Sequence, residues 1–158
     1  MPPEPELSPE REQPPERKLP PEPFESWPPP TAIVPAPDGS SVWPLGVLAG
    51  AASLARFELP AGAVSRAVSH ATVQELWHVV AGTGRIWRRQ GDRTEVVELA
   101  VGSTVSIPLG TAFQFRADGD GPLLVVAATV PPWPGTQTEA RPETGPWQPT
   151  VHGDAGAG

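Results

Sequence analysis

From Val42 to Thr129 the chain runs in short apolar stretches in which apolar and polar positions tend to alternate. Successive side chains of a strand point to opposite faces, so such stretches read as strands with one face on a core. Nine qualify: Val42–Leu45, Ala52–Leu59, Ser65–His70, Glu75–Val80, Arg85–Arg89, Thr94–Leu99, Thr104–Ile107, Phe113–Ala117 and Leu123–Thr129. Turn residues separate them, at Pro60-Ala61-Gly62, Gly82-Thr83-Gly84, Gly91-Asp92, Pro108-Leu109-Gly110 and Asp118-Gly119-Asp120-Gly121. No segment keeps a helical period over three turns. The pattern predicts an all-β domain, either a sandwich or a barrel.

Composition sets the limits of that domain. The 158 residues include 24 Pro and 16 Gly, and Pro crowds both ends while Val, Leu and Ala crowd the middle. Residues 1–31 are rich in Pro and Glu and hold too few apolar groups to offset the entropy of ordering. They are expected to be a disordered tail leaning to polyproline II, with Pro-x-x-Pro spacing as at Pro2 to Pro5. Residues 38–134 are expected to form the packed domain. Residues 135–158 return to low complexity and are expected to be a flexible tail, in which Trp147 is the residue suited to fold back onto the domain.

The formal net charge of −7 argues against nucleic-acid binding, which draws on a positive surface to release phosphate counterions. Arg85, Arg88, Arg89 and Arg93 form the one basic cluster, and their place around a hairpin reads as solvated edge charge. With no Cys, disulfides and thiolate metal sites are excluded. No apolar run has the length of a membrane span, and residues 1–30 lack a signal-peptide core, so a cytoplasmic protein is expected.

Two motifs carry more specific information. The stretch GAVSRAVSHATVQELWHVVAG runs from Gly62 to Gly82, and GSTVSIPLGTAFQFRA runs from Gly102 to Ala117. In the first, Gly62, His70, Glu75 and Gly82 stand at the spacing Gly-x5-His-x-His-x4-Glu-x6-Gly, with Val68 at the first His position. In the second, Gly102, Pro108 and Gly110 fit Gly-x5-Pro-x-Gly-x2-His-x3-Asn, with Phe113 for the His and Ala117 for the Asn. The pair resembles the two motifs of the cupin superfamily across nearly the whole central domain. The resemblance implies a jelly-roll (double-stranded β-helix) barrel and, commonly, a homodimer, for which Thr31–Leu45 could supply the edge strand. It also implies a site of three His and one Glu that binds Fe, Mn, Zn or Ni, and here only His70 and Glu75 of that set remain.

His78 does not replace a missing ligand by parity, because Glu75, Trp77 and Val79 share one strand face and His78 the other. The expectation is therefore a largely apolar pocket without a catalytic metal or other cofactor, lined by Arg66, Val68, Trp77, Phe113 and Phe115. Trp77 and Trp87 are expected on neighbouring strands joined by the Gly82-Thr83-Gly84 turn. His70 and Glu75 read either as a working proton-transfer pair or as an inert pair bonded to each other. Three functions stay open: a metal-free small-molecule-binding or tailoring protein; a metal-dependent dioxygenase or isomerase using His70 and Glu75; and a non-catalytic interaction module. Whether the chain is an enzyme is left open. With no Tyr in the chain, the His/Tyr acid–base scheme of cupin sugar epimerases cannot operate.

Overall fold

The computed structural model describes residues 22–151, and the rest of the N-terminal segment, residues 1–21, lies outside them, as do 152–158. The described residues form eleven strands and no helix, so none long and apolar enough to cross a membrane. In chain order they are β1 (Val34–Pro35), β2 (Ser41–Leu48), β3 (Ala52–Leu59), β4 (Val68–His70), β5 (Gln74–Ala81), β6 (Gly84–Gln90), β7 (Arg93–Leu99), β8 (Thr104–Ile107), β9 (Ala112–Ala117), β10 (Leu123–Val130) and β11 (Ala140–Pro142). They build a six-stranded sheet in the order β1-β2-β3-β10-β5-β8 and a five-stranded sheet in the order β11-β4-β9-β6-β7, with every pairing antiparallel.

The period-two pattern does what it predicts. Along β10, Leu123, Val125, Ala127 and Thr129 are buried, while the residues between them face outward. The four motif glycines, Gly62, Gly82, Gly102 and Gly110, all have positive φ. At Gly82 (φ 80°) the demand is double, because a Cβ there would also collide with the carbonyl of Pro122.

The core is aromatic at its centre. Trp77 meets Phe57, Phe115 and Phe113 edge-on at centroid distances of 4.6, 5.0 and 5.4 Å, and Phe57 meets Phe115 at 5.7 Å. Each such contact adds roughly 0.5–1.5 kcal/mol beyond the area it buries.

Three expectations need correction. The ladder of β4 starts at Val68, not Ser65: the Ser65 N–H goes to the Phe115 carbonyl and the Arg66 N–H to the Asp38 carbonyl. Trp77 and Trp87 are not on paired strands, because the Gly82-Thr83-Gly84 link carries the chain from one sheet to the other. The stretch expected to be a flexible tail from 135 onward is instead bonded to the barrel as far as Val151. β11 pairs with β4, Glu143 N–H reaches the Ala67 carbonyl, and Thr150 bonds Val64 through both backbone and hydroxyl. Its clasp is Gln114, fully buried, whose amide donates to the carbonyls of Ser65 and Trp147 and accepts the Trp147 N–H. Trp147 does fold back, with Arg85 and Arg116 against its ring at 5.7 and 5.5 Å. At the other end, Trp27 lies over Gly46 of β2.

Candidate functional site

His70 closes β4 and is 93% buried, between the rings of Phe113 at 5.2 Å and Trp133 at 5.3 Å. Its Nδ1 is buried without a hydrogen-bond partner, a cost of about 1–3 kcal/mol for such a group. Burial pushes the imidazole down to about 4, although the nearby Glu139 carboxylate pulls the other way. His70 is therefore neutral at neutral pH.

Glu75 sits near the start of β5, on the inward face with Trp77 and Val79. The Trp77 indole N–H donates to its Oε2 at 2.6 Å and the Thr129 hydroxyl to its Oε1 at 3.2 Å. Burial raises the carboxyl to about 7; the two hydrogen bonds oppose the rise, and the charge of Asp38 adds to it. Asp38 is raised as well, by burial first, against hydrogen bonds from Ser40 and the charge of Arg66. The usual order of a carboxylic acid and an imidazole is thus inverted. At neutral pH the pair offers a carboxyl that can still give a proton and an imidazole free to accept one.

Phe113 and Trp77 link the two groups: the rings meet at 5.4 Å, Phe113 touches His70, and Trp77 bonds Glu75. His70 and Glu75 are not the mutually bonded inert pair, since Glu75 takes its hydrogen bonds from Trp77 and Thr129. His78 is exposed and bonds Thr104, as parity required. Of the residues expected to line a pocket, Val68, Trp77, Phe113 and Phe115 are all at most 4% exposed and fill the core. The inward aromatics Trp77, Phe113 and Phe115 pack edge-on against one another. Arg66 is half-buried beside Asp38.

Three residues that join the site escaped the sequence reading. Trp133 covers His70. Asp38, at the turn before β2, biases Glu75 by its charge. Glu139 accepts from the backbone of Thr72 and Val73 and from the Thr72 hydroxyl, bonds that outweigh burial and lower its carboxyl. It thereby fixes the turn between His70 and Glu75.

A three-His, one-Glu metal centre does not fit these residues. Val68 and Phe113 stand at two of the ligand positions and offer no lone pair, and among the described residues no three His, Cys, Asp or Glu gather as a possible metal site.

The Cupin domain family matches residues 55–129, which hold both motifs and four of the five strands of the second sheet. Over these residues the chain carries a cupin domain. This cupin is similar in fold to the capsular polysaccharide assembling protein CapF from Staphylococcus aureus, with 20% identity, a TM-score of 0.58, 73% of this chain covered and 34% of that one. It is similar also to PAC13 from Streptomyces, a nucleoside dehydratase solved with uridine, with 13% identity, a TM-score of 0.56, 72% of this chain covered and 84% of that one. A third likeness is to the Cnp3 cupin domain of Schizosaccharomyces pombe, with 11% identity, a TM-score of 0.52, 58% of this chain covered and 60% of that one. The cupin described here thus spans about a third of CapF and under two thirds of the Cnp3 chain. At these identities the likeness is one of fold. No curated protein matches the sequence.

Proposed function

We propose that this cupin binds, and tailors by proton transfer, a small molecule at the His70–Glu75 end of its barrel, without a catalytic metal. The observation that carries the reading is the buried Nδ1 of His70, which has no partner within the protein. A buried polar atom left unpaired costs stability, and a ligand that donates to it recovers that cost on binding. The walls at this point are Phe113 and Trp133, so the ligand presents a planar or apolar body beside its polar group. Glu75 supplies the proton and His70 receives one. Asp38 keeps the Glu75 carboxyl protonated to higher pH, and Glu139 holds the turn that sets the spacing of the pair.

The test is a ligand-observed NMR screen of a fragment library against the full chain, with His70→Ala and Glu75→Gln run alongside and their folding checked by circular dichroism. Planar fragments carrying a hydrogen-bond donor are expected to bind the wild type and to be lost in folded His70→Ala. If the same fragments bind the His70→Ala protein equally well, the reading is wrong.

A further inference from the structure

Read along the sequence, the arginines around the β6–β7 hairpin are solvated edge charges. In three dimensions they divide. Arg85 lies on the outer face and pairs with Asp118 at 2.7 Å. Arg88 and Arg93, with Arg89 at the edge where its guanidinium turns to Glu143 on the outer face, line a cavity of about 300 Å³ between the hairpin and the β8–β9 turn. That volume is at the lower end of what small-molecule sites use.

Arg88 is the unusual member. It shares its strand face with the fully buried Ile86, and its register partner on β9 is Phe113, so it stands on the core-facing side of the sheet. Its side chain is 18% exposed. One guanidinium nitrogen donates to the Ser106 carbonyl of the opposite sheet at 2.7 Å, and the other reaches Glu95 at 3.3 Å. Arg89 is held by Glu143 at 3.0 Å and lies over the Trp87 ring at 5.5 Å. These two guanidinium groups are fixed before any ligand arrives, which spares the entropy of ordering them. Arg93, 79% exposed, reaches the same Glu95 at 3.8 Å and completes the rim. The buried Thr111 hydroxyl accepts from Gln90 at 3.0 Å and keeps its own proton to donate.

Arg88 and Arg93 thus share one lining carboxylate, Glu95, while Arg89 is paired with Glu143. Counting Glu143 behind Arg89 still leaves one cation in excess, in a protein whose formal net charge is −7. Donors converge from β6, β7 and the β8–β9 turn. An anion with several acceptor oxygens in a tetrahedral array uses such a spread better than a flat carboxylate does. We infer that this cleft is a binding site for a small phosphate-bearing molecule, independent of the proton-transfer site.

The test is isothermal titration calorimetry of the full chain with inorganic pyrophosphate at low ionic strength. Binding with a dissociation constant of about 1 mM or tighter is expected. Arg88→Gln and Arg93→Gln are each expected to weaken it about tenfold, while Arg85→Gln leaves it within about twofold. Because Arg93 is largely exposed, its replacement leaves the fold intact and keeps the test valid if Arg88→Gln destabilises the barrel. No measurable binding at about 1 mM, or an equal loss in Arg85→Gln and Arg93→Gln, overturns the inference.

Discussion

Trp77 and His70 are both almost wholly buried, and Phe113 touches both, yet they occupy different circumstances. Trp77 is surrounded by aromatic edges, and its one polar atom is spent on Glu75. His70 has two aromatic neighbours and a buried ring nitrogen with no partner. The first arrangement serves stability, because each group is packed or satisfied. The second works against stability and makes sense where something outside the chain supplies the missing hydrogen bond. The contrast also explains the absent ligand set: at Val68 and Phe113 the barrel has given metal-ligand positions over to core packing.

The comparison breaks most visibly at Phe113. Phe113→Ala removes a fully buried ring from between His70, Trp77 and Val68, and a loss of about 3–5 kcal/mol is expected in urea or guanidinium unfolding. A loss below about 1 kcal/mol would mean that the aromatic centre is not the stabilising element described.

Glu75→Gln comes next, and its effect depends on pH. The folded carboxyl titrates near 7, above its ordinary 4.5, so the folded state holds its proton where the unfolded chain has lost it. This favours the fold at low pH, and the advantage is lost as pH rises from 4.5 through 7. A Gln stays neutral throughout. Glu75→Gln is expected to raise stability at pH 8 by about 2–3 kcal/mol relative to wild type and to change it little at pH 5, as read by unfolding at each pH. His70 has the opposite slope: its folded value near 4 lies below 6.5, so its contribution is lost on acidification through that window, equally in both proteins.

Gln114→Ala should cost about 1–3 kcal/mol by leaving the carbonyls of Ser65 and Trp147 unpaired. The same change should speed hydrogen exchange in residues 143–151 while that of β10 stays slow. The smallest effect is expected of His70→Leu, neutral or stabilising by about 1 kcal/mol because it removes the orphaned nitrogen, yet abolishing ligand binding. Were His70→Leu strongly destabilising, His70 would belong with Trp77 as a packing residue.

Much of this barrel can be read from the chain, for identifiable reasons. Gly62, Gly82, Gly102 and Gly110 mark positive-φ turns that other residues resist, so their spacing survives the loss of the ligands between them. Strand parity put His78 outside and Glu75 inside, since alternation is a local property. Parity also carried the signal that Arg88 follows Ile86 on the core-facing side, which its charge concealed. Tertiary closure was not legible. Parity says that Trp77, Phe113 and Phe115 point inward, but not that Trp77 meets both phenylalanines edge-on. The clasp of Gln114 on the segment around Trp147 joins residues 33 apart in a stretch of low complexity, with no local pattern to announce it. Asp38, Trp133 and Glu139 reach the site through the same long-range folding.

The measurement that bears most directly on a metal-free His70–Glu75 site is the metal content of the untagged protein after incubation with Fe, Mn, Zn and Ni, by inductively coupled plasma mass spectrometry. Less than about a tenth of an equivalent of any of them is expected, with no difference between wild type and His70→Ala. One equivalent of a single metal in the wild type, lost in His70→Ala, would contradict it.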